Sequence, residues 1–175
     1  MWTLWAALLL AQAAAPNLPF LDWGACPFET CGYREWTTKK PVAMYDTWRG
    51  DRRVIAGIPA GEKVTAITGL VITYRPGIIK LDRDVPRQGL KRGQIILTYA
   101  YRGEGFSAAW VAGRYEPEFD ISFTKWPDGT GCGGEHCAAT YQDLGEKMWW
   151  AQVRTPSGQT GWIEAGGANL DFGKF

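Results

Sequence analysis

Apolar and polar positions alternate along this chain with the short period of β-strands, and no stretch sustains the period of a helix. The runs are brief, and each is bounded by turn residues. Residues 41–45 form one run, and residues 53–58 form another that closes on Pro59-Ala60-Gly61. Residues 63–73 follow, rich in Val, Ile and Thr. Residues 94–101 and 106–111 predict a hairpin about Arg102-Gly103-Glu104-Gly105, and residues 149–155 and 161–164 predict a last one about Pro156-Ser157-Gly158. Each turn carries the glycine that a tight connection needs. Residues 124–147 break the pattern: they are polar, Gly-rich and poor in β-branched side chains, and are read as a long ordered loop. A weak repeat links Ile58, Gly61, Val64 and Ile67 to Leu90, Gly93, Ile96 and Tyr99; in each copy a turn glycine delivers the chain into a strand.

The N-terminus differs from the rest. Residues 3–11 are almost wholly apolar, too short to cross a bilayer, which needs roughly 20 apolar residues. With the small-x-small pattern Ala11-Gln12-Ala13, the run predicts a secretory signal over residues 1–13, cleaved after Ala13, although no basic residue precedes Arg34. Gly24-Ala25-Cys26 has the ending of a lipidation box, but Trp23 and Asp22 spoil its apolar part. No later segment is long and apolar enough to span a membrane. The expected protein is therefore periplasmic or secreted.

About 160 residues remain after the signal, enough for one domain or two small lobes. Eight of the ten tryptophans lie there, and large aromatics let a small barrel fill its core with few side chains. The 19 basic and 18 acidic residues nearly cancel, which argues against nucleic acid as a partner. Six basic residues between Arg75 and Arg92 stand against Asp82 and Asp84; they read as a charged loop and strand edge, or as a patch for an anionic surface polymer.

The four cysteines fall in two equal spacings, Cys26 with Cys31 and Cys132 with Cys137. In an exported chain an even count predicts disulfides. Three pairings are possible and the local one is simplest, each short loop then adding about 2 kcal/mol. A zinc shell of Cys132, His136 and Cys137 with Cys26 or Cys31 is the alternative, but the spacing is wider than zinc sites use. No metal or other cofactor is expected.

Val54-Ile55 followed by Ile58-Pro59-Ala60-Gly61-Glu62-Lys63-Val64 resembles the first half of a bacterial SH3-like domain. Trp150 and Val153, with Gly158 and the ending Gly161-Trp162-Ile163, resemble its second half. Cys26-Pro27-Phe28-Glu29-Thr30-Cys31-Gly32-Tyr33-Arg34-Glu35-Trp36 is similar to the head of a group of exported bacterial proteins of unknown function that join such a head to an SH3-like region. The resemblance implies an all-β protein of SH3-like small barrels. Residues 14–35 would be the head, with a disulfide, and residues 36–175 the β region, with halves near 41–73 and 148–165. Gly69 and Trp149 stand 80 positions apart, so residues 74–147 are an insertion in one barrel or a second lobe, with a disulfide-clipped loop.

The resemblance further implies a non-catalytic binding module for a cell-wall peptide or polymer, or for another envelope protein. The aromatics expected to line its groove are Tyr45, Tyr99, Tyr101, Trp110, Trp149, Trp150 and Trp162. On a strand Trp149 and Trp150 face opposite ways, so one is expected in the core and the other outside or under a loop. An enzyme is the weaker expectation. His136 adjoins Cys137 in sequence, which rarely gives a nucleophile and base their geometry. No Gly-x-Ser-x-Gly, His-Glu-x-x-His or phosphate loop occurs. Glu116, Glu118 and Asp120 form an acidic cluster with no visible partner chemistry.

Overall fold

The computed structural model describes residues 14–28, 31–166 and 169–172; the predicted signal at 1–13 lies outside the described residues. The protein is all-β. In chain order the strands are β1 (Phe20–Trp23), β2 (Glu35–Thr38), β3 (Val42–Tyr45), β4 (Val54–Ile58), β5 (Lys63–Arg75), β6 (Gly77–Leu81) and β7 (Ile95–Gly103). Then follow β8 (Phe106–Val111), β9 (Arg114–Asp120), β10 (Thr124–Lys125), β11 (Ala139–Asp143), β12 (Glu146–Arg154), β13 (Thr160–Glu164) and β14 (Leu170–Asp171). One sheet runs β14-β2-β5-β12-β13-β3-β4 with β1 also on β5; the other runs β10-β11-β6-β7-β8-β9.

Five antiparallel strands in each sheet share one order. In β14-β2-β5-β12-β13 and in β11-β6-β7-β8-β9 the lobe's fifth strand lies beside its first, followed by its second, third and fourth. The two curled half-barrels are consistent with two SH3-like lobes, the second inserted between β5 and β12 of the first. The halves at 41–73 and 148–165 meet directly, because β5 and β12 pair from Thr65 opposite Arg154 to Arg75 opposite Glu146. The chain leaves and re-enters the first lobe at one neck. There Gly145, at φ +78°, lies so close that a Cβ would come within 2.4 Å of the Arg75 carbonyl oxygen. An Arg75–Asp143 ion pair closes the same neck.

The repeat seen in the sequence has a structural basis. Gly61 and Gly93 have φ near +81° and +85°, a backbone state that favours glycine. The Gly61 N–H donates to the Thr38 carbonyl at 2.7 Å and the Gly93 N–H to the Leu81 carbonyl at 2.8 Å. Both acceptors end the first strand of their lobe, and both turns lead into the second. Ile58 and Val64 are buried, as are Leu90 and Ile96; Ile67 is exposed where Tyr99 is buried.

Most strands follow the alternation of the sequence. The hairpin between β7 and β8 turns at Glu104 and Gly105, both at positive φ, which suits the strand twist. Residues 124–147 are not one loop. They hold β10, the strand β11 against β6, and the start of β12; only the segment between β10 and β11 is a clipped loop, joined by Cys132–Cys137. Residues 14–35 are not a separate head either, since β1 is built into the first sheet along β5.

Strand β1 also joins the lobes. Phe20 packs on Tyr99 with ring centroids 5.3 Å apart. Asp22 takes a two-pronged ion pair from Arg102, at 2.6 and 3.0 Å. The buried Thr73 hydroxyl donates to the Tyr99 carbonyl at 2.5 Å. Planar, two-bond pairing of this kind fixes orientation as well as distance.

Candidate site: a cleft between the lobes

Beside this joint lies a cleft of about 620 Å³, within the usual size of ligand sites. Its first-lobe wall comes from Asp22, Ala25, Pro27, Val71 and Lys147, and its second-lobe wall from β7, β8, β11 and the turn before β10. Tyr101, Phe106, Trp126 and Tyr141 supply the aromatic surface.

Local chemistry places these side chains. Trp126 caps a tight turn: the Asp128 carboxylate accepts the Thr130 N–H at 2.9 Å, and the Trp126 N–H donates to the Thr130 carbonyl at 2.9 Å. The indole lies against the Tyr141 ring, centroids 4.7 Å apart. Gly131 makes room for it, since a Cβ there would stand 2.5 Å from Trp126 Cδ1. The Cys132–Cys137 disulfide follows at once and pins the rim. Tyr141, nearly buried, donates to Thr98 Oγ1 at 3.3 Å, and its phenol is pushed up in pKa by burial. Thr124 borders the cleft, and its fully buried Oγ1 has no hydrogen-bond partner.

Charge is sparse and specific. Lys147 Nζ donates to the Leu144 carbonyl at 3.0 Å. The residue as a whole is exposed, yet desolvation of its ammonium by the surrounding protein holds its pKa below the usual lysine value, while the nearby Asp143 opposes that shift. Glu104 faces the cleft from the hairpin turn, and the Asp22 carboxylate is already engaged by Arg102. The arrangement offers flat apolar contact with a few fixed polar positions, which is the equipment of a binding site.

The expected groove aromatics do not assemble. Tyr101 is the only one of the seven on the cleft. Tyr99, Trp149, Trp150 and Trp162 are buried in the core, Trp110 is half-buried, and half-buried Tyr45 borders a separate hollow of about 220 Å³. Trp149 and Trp150 do face opposite ways, but both are covered: Trp149 by Trp36 and Phe28, Trp150 by Tyr45 and the Arg52 guanidinium. Neither stands outside, because the first sheet is packed on both faces.

Trp126, Tyr141 and Thr124 were hidden in the segment read as a loop. The signals that could have found them are the alternation Ala139, Tyr141, Asp143 and a tryptophan beside a clipped cysteine pair. Both cysteine pairs are local disulfides, which removes the thiolates a zinc shell would need, and also the Cys26 thiol that lipidation would need. His136 sits in an exposed turn. Glu116, Glu118 and Asp120 lie on β9, away from the cleft lining, with Glu116 paired to Arg114. Among the described residues no helix is long and apolar enough to cross a membrane. Compared with family models, curated proteins and solved structures, the chain matches none of them.

Proposed function

We propose that the protein is an exported, non-catalytic SH3-like binding module that takes a cell-wall peptide or polymer segment into the inter-lobe cleft. The cleft itself carries this reading. Its wall is aromatic and its rim is fixed by a disulfide. Rigid aromatic contact costs little conformational entropy on binding. Two local disulfides suit an oxidising compartment and support export. A segment of an envelope protein is the second reading, favoured by the clipped loop standing at the rim.

Insoluble cell wall in a pull-down tests the proposal. The chain beginning at Ala14 is expected in the pellet at low and moderate salt, and Trp126→Ala is expected to release it without loss of native circular dichroism. Wild-type protein left in the supernatant would sink wall binding; capture instead by a single envelope protein would install the second reading.

A further inference from the structure

The two faces of β1 do different work. Phe20 and Asp22 point to the second lobe, whereas Leu21 and Trp23, alternate residues, point the other way. On that opposite face Leu21 stands across from Ile72 and Trp23 across from Leu70, and Tyr74 continues the row along β5. Trp23 is 56% exposed, Tyr74 43% and Leu21 38%, so the shelf is open. Trp23 meets Trp48 and Trp162 edge-on, at 5.8 and 6.1 Å. Arg49 lies over Trp48 at 5.5 Å, and Arg52 over Tyr45 and Trp150 at 5.3 and 4.9 Å. Neither guanidinium has a carboxylate partner among the described residues; Asp46 of the same loop is paired with Arg53, Asp51 is exposed between the two arginines, and Glu164 stands opposite Trp150.

We propose that this shelf docks on the surface of an anionic phospholipid membrane, with Trp23, Leu21 and Tyr74 at the acyl boundary and Arg49 and Arg52 among the headgroups. Three observations select that occupant. The composition is that of a membrane interface: an amphipathic aromatic row, a branched aliphatic residue and unpaired arginines. Leu21 extends the apolar surface beyond the tryptophans, as an acyl boundary needs and a stacked sugar ring does not. The loop between β3 and β4 carries Arg49, Arg52 and Arg53 against Asp46 and Asp51, a net positive charge beside the apolar row. The cleft opens on the other side of β1, and the inference stands independently of what the cleft binds.

Flotation of the chain beginning at Ala14 with phosphatidylcholine vesicles, with and without phosphatidylglycerol, tests it. Binding is expected only with the anionic lipid, weakening as salt rises. Trp23→Ala combined with Leu21→Ser is expected to weaken it about tenfold. Arg49→Gln is expected to weaken it about fivefold, with near-UV circular dichroism unchanged. Trp126→Ala should leave it intact, which separates the shelf from the cleft. No flotation at low salt, undiminished flotation of both shelf variants, or loss of cell-wall retention rather than flotation in the Trp23 variant would overturn the proposal.

Discussion

In the first lobe the central strands β5 and β12 are covered on both faces by large aromatics, Trp36 and Trp149 on one side and Trp150 and Trp162 on the other. In the second lobe the equivalent strands β7 and β8 close over a mainly aliphatic core of Ile79, Leu81, Leu90, Ile96 and Val111. The strand order is the same, so topology does not depend on which side chains fill it. Chain connectivity distinguishes the two. The strands of the second lobe are contiguous, whereas β5 and β12 of the first are separated by the whole insertion and come together over a longer loop. More buried area per side chain at that joint offsets the added cost of closure.

The sharpest way to break this comparison is to hollow each core in turn. Trp36→Ala removes a fully buried ring whose Nε1 donates to the Gly32 carbonyl at 2.8 Å, and should cost about 3–5 kcal/mol in urea unfolding. Ile96→Val in the second lobe should cost only about 0.5–1.5 kcal/mol. Equal losses would mean that the lobes are not filled on different principles.

The two disulfides close loops of equal length in different lobes. Replacing either pair by serine should lower stability by about 2 kcal/mol. Only Cys132→Ser with Cys137→Ser should also weaken ligand capture, because that clip holds the Trp126 rim. Equal loss of capture from both variants would remove the link between clip and cleft.

Gly61→Ala and Gly93→Ala refine the repeat. An added Cβ meets nothing within 4 Å at either site, so each should cost only the left-handed backbone penalty, about 1 kcal/mol, and the two values should agree in thermal unfolding.

The smallest effect is electrostatic. The backbone N–H of Arg53 bonds the Asp46 carboxylate, and that of Arg92 bonds Asp84, holding both carboxyls below their usual range. A lowered folded pKa favours the ionised form in the native state. Its contribution is therefore present above the unfolded pKa of about 4 and fades as pH falls through the folded value. Asp46→Asn and Asp84→Asn should each flatten the acid limb of the stability profile slightly and alike, and salt should shrink the difference. A steeper limb in either variant would contradict the assignment.

Strands with β-branched alternation and a turn glycine were legible before folding, as β4, β5, β7, β8 and β13 show, because period and turn chemistry are local. The local disulfides were the simplest of three possible pairings, and the structure selects them. Strand β11 was not legible: Ala139–Asp143 carries polar residues, and its place in the sheet comes from pairing with β6, nearly sixty residues away. The cleft was less legible still. Of its aromatic wall only Tyr101 stood among the expected residues, since burial on both faces of the first sheet took Trp149, Trp150 and Trp162 into the core.

The sequence by itself thus determined the all-β class and the turn positions and made local cysteine pairing the simplest of three, all features set within a few residues of one another. Only the tertiary structure decided that the insertion is a second lobe with the same strand order, that β1 seals the joint between the lobes, and that Trp126 and Tyr141 share a cleft. These depend on contacts between segments far apart in the chain, which no local pattern encodes.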